Sequence, residues 1–242
     1  MRDYRAETER RKSFIRSVLA SSCMKGLVYG NSGGKDSALV GILCKMACDN
    51  TVGLIMPCGS KQNYGTDKSD AEAVARQFDI STRVVDLSEA KNAIIKAAGE
   101  AAQLIETAIA NISPRLRMTA LYSVAASENR LVAGTGNRSE EYMGYFTKWG
   151  DGAYDFNPIA DLTVTEIYEF LRYLGAPDSI LSKAPSAGLF DGQTDESEMG
   201  VTYKSVDAYL LTGTACKNDE AVIERFHKLS AHKRKTPAVY GG

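Results

Sequence analysis

The sequence predicts an α/β fold, an open and mostly parallel sheet with helices on both faces. Short apolar, β-branched runs alternate with longer segments of helical spacing. A glycine- and serine-rich loop stands just after the first such run and opens a helical pattern, and a second glycine-containing loop follows the fourth run. In a sheet of this kind, ligands gather at the carboxyl ends of the strands, so the loops after Tyr29, Met56 and Ala133 are the first places to look.

The elements follow in order. A charged amphipathic segment with Phe14, Ile15, Val18 and Leu19 on one side comes first. Four runs have strand length and composition: Gly26 to Tyr29, Val52 to Met56, Arg83 to Asp86, and Arg130 to Ala133. Helical spacing fills Asp36 to Ala47, Asp67 to Phe78, Glu100 to Ala110 and Pro114 to Ser127. In the last third, Ile167, Phe170, Leu171 and Leu174 mark a helix stripe that Gly175-Ala176-Pro177 ends, and helical patterns return around Val206 to Leu211 and Ala221 to Leu229. Between them, Lys183 to Gly200 is rich in Gly, Ser, Asp and Pro and reads as a long loop, either a lid or disorder.

With 242 residues, 44% hydrophobic and 24% charged, the chain suffices for one substantial core, and residues 1–242 are read as a single domain. Lys and Arg total 29 against 30 Asp and Glu, which leaves no global positive field to hold a nucleic acid. No run of 18 apolar residues predicts a membrane span. The charged start, Met1 to Glu7, does not resemble a secretory signal, and a cytoplasmic location is expected. The five cysteines lack paired metal-ligand spacing, and Cys44 and Cys48 read as helix thiols.

The strongest local signal is Gly30-Asn31-Ser32-Gly33-Gly34-Lys35-Asp36-Ser37. Glycines let the backbone bring several N–H groups near an anion, Ser32 and Ser37 add donors, and the helix N-terminus adds partial positive charge. The loop is read as a phosphate site. Its spacing is neither that of a Walker A loop nor that of a dinucleotide fingerprint. A carboxylate beside bound phosphates is repelled unless a cation lies between them, so Asp36 points to magnesium. The second loop, Gly134 to Glu140, can face the first across the sheet, so that Glu140 and Asp36 hold one ion between phosphates. The stretch after it, with Lys148 and Asp155, reads by composition alone as a surface loop.

Ser32-Gly33-Gly34-Lys35-Asp36-Ser37 resembles the SGGxDS loop of the N-type ATP pyrophosphatases. The Gly134-Thr135-Gly136-Asn137-Arg138-Ser139-Glu140 and Gly144 to Asp155 segments resemble those of the NAD synthetases within that superfamily. Pro114 to Met118, Lys183 to Ala187, Gly192 to Glu196 and His232 to Arg234 extend the similarity from about Gly26 to the C-terminus. The resemblance implies an adenine nucleotide alpha hydrolase-like, Rossmann-like sheet and an ATP-dependent amidation of deamido-NAD with ammonia, giving NAD, AMP and pyrophosphate through an acyl-adenylate. It further implies that Gly30, Asn31, Ser32, Gly33, Gly34, Lys35, Asp36, Ser37, Thr135 and Ser186 contact ATP, with Asp36 and Glu140 on magnesium. Arg115, Lys148, Asp155, His232 and Lys233 would contact deamido-NAD, with Asp155 the candidate for handling ammonium. A homodimer is the family habit, and the Pro114 to Ser127 helix is a reasonable contributor to it. No glutaminase domain is expected, so free ammonium would be the nitrogen source unless a separate glutaminase delivers it. One departure stands out: Val164 occupies the place where many members carry an ATP-contacting lysine, so either another cation, Lys35 or Lys183, supplies that charge or ATP affinity is weaker.

Overall fold

In a computed structural model, the structure describes residues 2–59, 64–183 and 195–240. Four parallel strands, β1 (Gly26–Gly30), β2 (Thr51–Ile55), β3 (Ser81–Val84) and β4 (Arg130–Ala133), form one sheet in the order β3-β2-β1-β4. The chain winds outward from β1 to β3 and then returns to the other side of β1. This reversal opens a crevice between the carboxyl ends of β1 and β4, the usual ligand position in such sheets.

Alternation along the strands decides what covers each face. Leu27, Tyr29, Leu131 and Ala133 pack with α1 (Tyr4–Ser22), α2 (Lys35–Ala47), α3 (Thr66–Gln77) and α8 (Val164–Leu174) in the largest core cluster. Val28, Val52, Leu54 and Val132 point the other way, toward Leu116, Leu121 and Ala125 of α6 (Ile112–Glu128). A third cluster joins Met143 of α7 (Arg138–Met143) and Val164 to Met199 of α10 (Asp195–Met199), Tyr203 and Val206 of α11 (Tyr203–Thr212), and Ile223 of α12 (Lys217–Leu229).

The fold class is as the sequence predicts, with local corrections. The expected helix from Glu100 to Ala110 is broken. A helix, α4 (Ser88–Gly99), ends just before it, and its place is taken by a turn and irregular chain followed by the short α5 (Glu106–Ala110). The strands expected at Val52 and Arg83 begin earlier, at Thr51 and Ser81, because their register against β1 and β2 starts there. On α1 the buried side is Tyr4, Glu7, Thr8, Arg11 and Ile15, whereas Phe14 is largely exposed. Of the loop expected from Lys183 to Gly200, Asp195–Met199 forms the helix α10, and residues 184–194 lie outside the described residues. Among the described residues the remaining helix is α9 (Asp178–Leu181), and a 3-10 turn, Ala231–Lys233, follows α12. Cys44 is a buried helix thiol, and Cys48 caps the C-terminus of α2. No helix among the described residues is long and apolar enough to cross a membrane.

Candidate active site

The crevice between β1 and β4 opens into a cavity of about 610 Å³, within the range of small-molecule sites. One wall is the phosphate loop. Asn31 continues the sheet, its N–H bonding the Leu54 carbonyl at 2.8 Å, and the chain then turns sharply through Ser32 to Gly34. Gly33 makes that turn possible: its φ is +72°, and a Cβ there would sit 2.1 Å from the Asp67 carbonyl oxygen. The Ser32 and Ser37 hydroxyls lie 3.0 Å apart across the loop, and the Gly34 N–H donates to Ser32 Oγ at 3.3 Å. Lys183, which also lines the cavity, anchors the loop. Its ammonium donates to Asp67 (2.7 Å), Asp70 (2.9 Å) and the Gly33 carbonyl (3.2 Å), fastening the loop to α3.

The opposite wall comes from the loop after β4. Asn137 caps α7 by accepting the Glu140 N–H at 2.9 Å and donates its own amide to Asp36 Oδ1 at 3.0 Å, stitching the two loops together. This brings the Asp36 and Glu140 carboxylates onto one cation, the Lys35 ammonium, at 2.7 and 3.3 Å. Burial, reinforced by the neighbouring Asp36 charge, pushes the Glu140 carboxyl up to about 8, with Lys35 opposing. Burial alone would lower the Lys35 pKa, but Asp36 and Glu140 outweigh it and hold the ammonium above the usual lysine range. Tyr203 closes the cluster with its ring 5.8 Å from that ammonium and its hydroxyl donating to Asp195 at 3.1 Å. These carboxylates suit a magnesium ion. They are hard oxygen donors already converged on one positive charge, and two protein carboxylates completed by phosphate oxygens and water are the ordinary surroundings of that metal.

Of the residues expected to contact ATP, all of Gly30 to Ser37 except Gly33, together with Thr135, line the cavity, while Ser186 lies outside the described residues. His232 and Lys233 also line it; the Lys233 ammonium is fixed by the Gly144 and Phe146 carbonyls at 2.7 and 2.6 Å. Arg115, Lys148 and Asp155 do not. Arg115 Nε bonds the Lys148 carbonyl (3.3 Å) and Lys148 Nζ the His232 carbonyl (2.8 Å), forming a chain along the rim. Asp155 extends the sheet beyond β4. Its carboxylate accepts from the Val132 N–H at 2.7 Å and from the Tyr122 hydroxyl at 3.2 Å.

Several lining residues escaped the sequence reading. Arg117 turns inward to donate to the Met56 carbonyl at 3.1 Å, and burial lowers its pKa. The Asp151 carboxyl, which accepts the Thr147 N–H at 2.9 Å, is pushed up by desolvation. Asn137, Asp195 and Tyr203 complete the carboxylate cluster. The Pro-Arg-Leu-Arg and Gly-Asp-Gly segments were visible signals for the first two, and Asn137 and Asp195 lie within the Gly134 to Glu140 and Gly192 to Glu196 segments, although nothing there assigned them a role; Tyr203 gave no signal.

A glycine- and serine-rich loop at a topological switch point, with the half-buried Asp36 and Glu140 carboxylates converging beside it, is the arrangement of a nucleotide-using α/β protein. A family model described as NAD synthase matches residues 7–237. An NH(3)-dependent NAD(+) synthetase of Carboxydothermus hydrogenoformans is 46% identical over 240 residues, with 98% of each chain covered. Among solved structures, an NMN synthetase from Francisella tularensis superposes with a TM-score of 0.94 at 35% identity, covering 100% of both chains. An NH3-dependent NAD synthetase from Campylobacter jejuni gives 0.79 at 30% identity, covering 99% of both. The chain belongs to the NAD synthase family.

Proposed function

We propose that the protein amidates the nicotinate carboxylate of deamido-NAD with free ammonia at the expense of ATP, giving NAD, AMP and pyrophosphate, and that it does so in the cytoplasm. The observation that carries this reading is the convergence of Asp36 and Glu140 on one cation position beside the phosphate loop. Loop N–H groups and the Ser32 and Ser37 hydroxyls bind the triphosphate, and the α2 N-terminus adds its partial charge. The substrate carboxylate, led in past His232 and Lys233, attacks the α-phosphorus; pyrophosphate leaves and an acyl-adenylate forms. Magnesium held by Asp36 and Glu140 supplies charge neutralisation for the triphosphate and the departing pyrophosphate. Ammonia then attacks the acyl carbon and AMP departs. Catalysis is thus largely alignment and electrostatics in a site that limits competition by water. Asp155, bound to the β4 backbone, remains the candidate for ammonium only if the acid is approached from the rim side. We assign the same rim to a homodimer contact around α6.

A second reading is favoured by one observation: the 0.94 superposition is with a structure named for NMN synthesis. Both acids present the same nicotinate carboxylate, so the two readings share all the chemistry above and differ only in what lies beyond the first phosphate. The deciding assay follows AMP, pyrophosphate and amide product with deamido-NAD and with nicotinic acid mononucleotide, each with ammonium or glutamine. A higher kcat/KM for deamido-NAD, with ammonium as effective donor, is expected. A preference for the mononucleotide of tenfold or more would transfer the assignment to the second reading, and no amide from either acid would defeat both.

A further inference from the structure

Lys35 stands in an unusual place for a lysine. It is the first residue of α2, where the helix dipole disfavours a positive charge, and only 6% of the residue is exposed. What retains it is the carboxylate pair, with Asp36 Oδ2 at 2.7 Å and Glu140 Oε1 at 3.3 Å, and the Tyr203 ring beneath. The other Asp36 oxygen, Oδ1, accepts from Asn137, and Lys35, Asp36 and Glu140 all line the cavity. Neither Lys183, held by Asp67 and Asp70, nor Lys233, held by two carbonyls, occupies that position. Val164 packs in the third apolar cluster and carries no charge to the site.

We infer that Lys35 is a catalytic residue acting as an exchangeable cation. Before nucleotide arrives it holds Asp36 and Glu140 together, and when magnesium and the triphosphate enter it leaves the carboxylates to the metal and bonds the phosphate oxygens. The inference rests on the proposed magnesium site. Its physical basis is that two cations cannot share one carboxylate pair without strong repulsion, whereas a four-carbon stem with a rotatable ammonium reaches new acceptors by changing rotamers. Bare metal must displace the ammonium with nothing to receive it; metal with ATP supplies the receiving phosphates. Metal and nucleotide are therefore coupled through this one side chain, each favouring the other.

The test is calorimetric titration of wild type, K35Q and K35R at pH 8.5 with magnesium alone and then with magnesium-ATP. K35Q is expected to bind magnesium alone at least tenfold more tightly than wild type and magnesium-ATP at least tenfold more weakly, while K35R follows wild type on magnesium alone. Those opposite shifts distinguish exchange from a structural role, which would weaken both or neither. Magnesium-alone binding by K35Q that is equal to or weaker than wild type overturns the inference. If K35Q is too unstable to titrate, its Tm should rise with magnesium by more than that of wild type, and a variant still unfolded at saturating magnesium overturns it equally. Turnover by wild type is a separate readout: amide formation with no change in K35Q binding defeats this inference alone, and its absence defeats the proposed function alone.

Discussion

At the scale of single residues, the phosphate loop depends on a position where no side chain fits. Gly33 combines a left-handed backbone with near contact to α3, so Gly33→Ala adds about 1–2 kcal/mol of backbone strain and a clash with the Asp67 carbonyl besides. The loop can relieve that clash only by moving off α3, which also separates Lys183 from the Gly33 carbonyl. The expected outcome is a folded protein of lower Tm whose ATP affinity falls by at least tenfold in equilibrium titration. Unchanged ATP binding by the Gly33→Ala protein would show that the loop does not hold the phosphates. The loop was legible in sequence because its chemistry is contiguous: glycines, hydroxyls and Asp36 within eight residues. The network around it was not. Asn137 is 101 residues from Asp36 and Lys183 is 116 from Asp67, and each pairing exists only once β1 and β4 lie side by side or α3 has packed behind the loop.

At the scale of elements, α1 contributes to the site from behind. Its Arg11 is buried and donates to the Pro158 carbonyl, to both Asp161 oxygens (2.7 and 2.9 Å) and to Glu7 (2.8 Å). Arg2 adds bonds to Asp161 and Glu166 at the start of α8. The helix therefore clamps the segment that leads from Asp155 to the capping box at Thr163. Arg11→Ala should cost about 3 kcal/mol in urea unfolding, at the low end for a broken buried pair because the Asp161 side chain is half exposed. A loss below about 1 kcal/mol, the worth of an exposed pair, would mean that packing alone holds the segment. This clamp was not legible in α1. Of the apolar residues read on one side, Ile15 is buried and Val18 and Leu19 pack against the core, but the helix's buried side also carries an ion network, and hydrophobic periodicity is blind to it. The helix α4 was missed for the opposite reason: its alanines and isoleucines are helical in spacing, yet none is buried, so no core stripe marks it.

At the scale of the whole molecule, that exposed helix has a consequence. Neither α4 nor α5 buries a residue, α6 buries only Ser113, Pro114 and Ala125, and Ile94 and Ile105 stand 46% and 66% exposed on this side. Arg115 lies on the same helix α6, the Tyr122 hydroxyl binds Asp155 there, and neither Arg115 nor Asp155 reaches the cavity of a single chain. Apolar side chains left in water beside residues expected to bind substrate are what a subunit contact would use, since burying them contributes roughly 25 cal/mol per Å² and a stable contact needs about 800 Å² from each partner. Light scattering should therefore give twice the 26.2 kDa chain mass, and the double variant Ile94→Asp/Ile105→Asp should give the single mass. If the second copy completes the acid site, the monomeric variant should keep its ATP affinity and lose at least tenfold in kcat/KM for the acid. A wild-type monomer, or a double variant that stays dimeric, would remove this face from the assembly. A monomeric variant of full activity would leave the dimer standing but place the acid entirely within one chain, with Arg117 and Lys233 rather than Arg115 and Asp155 as the groups that meet it.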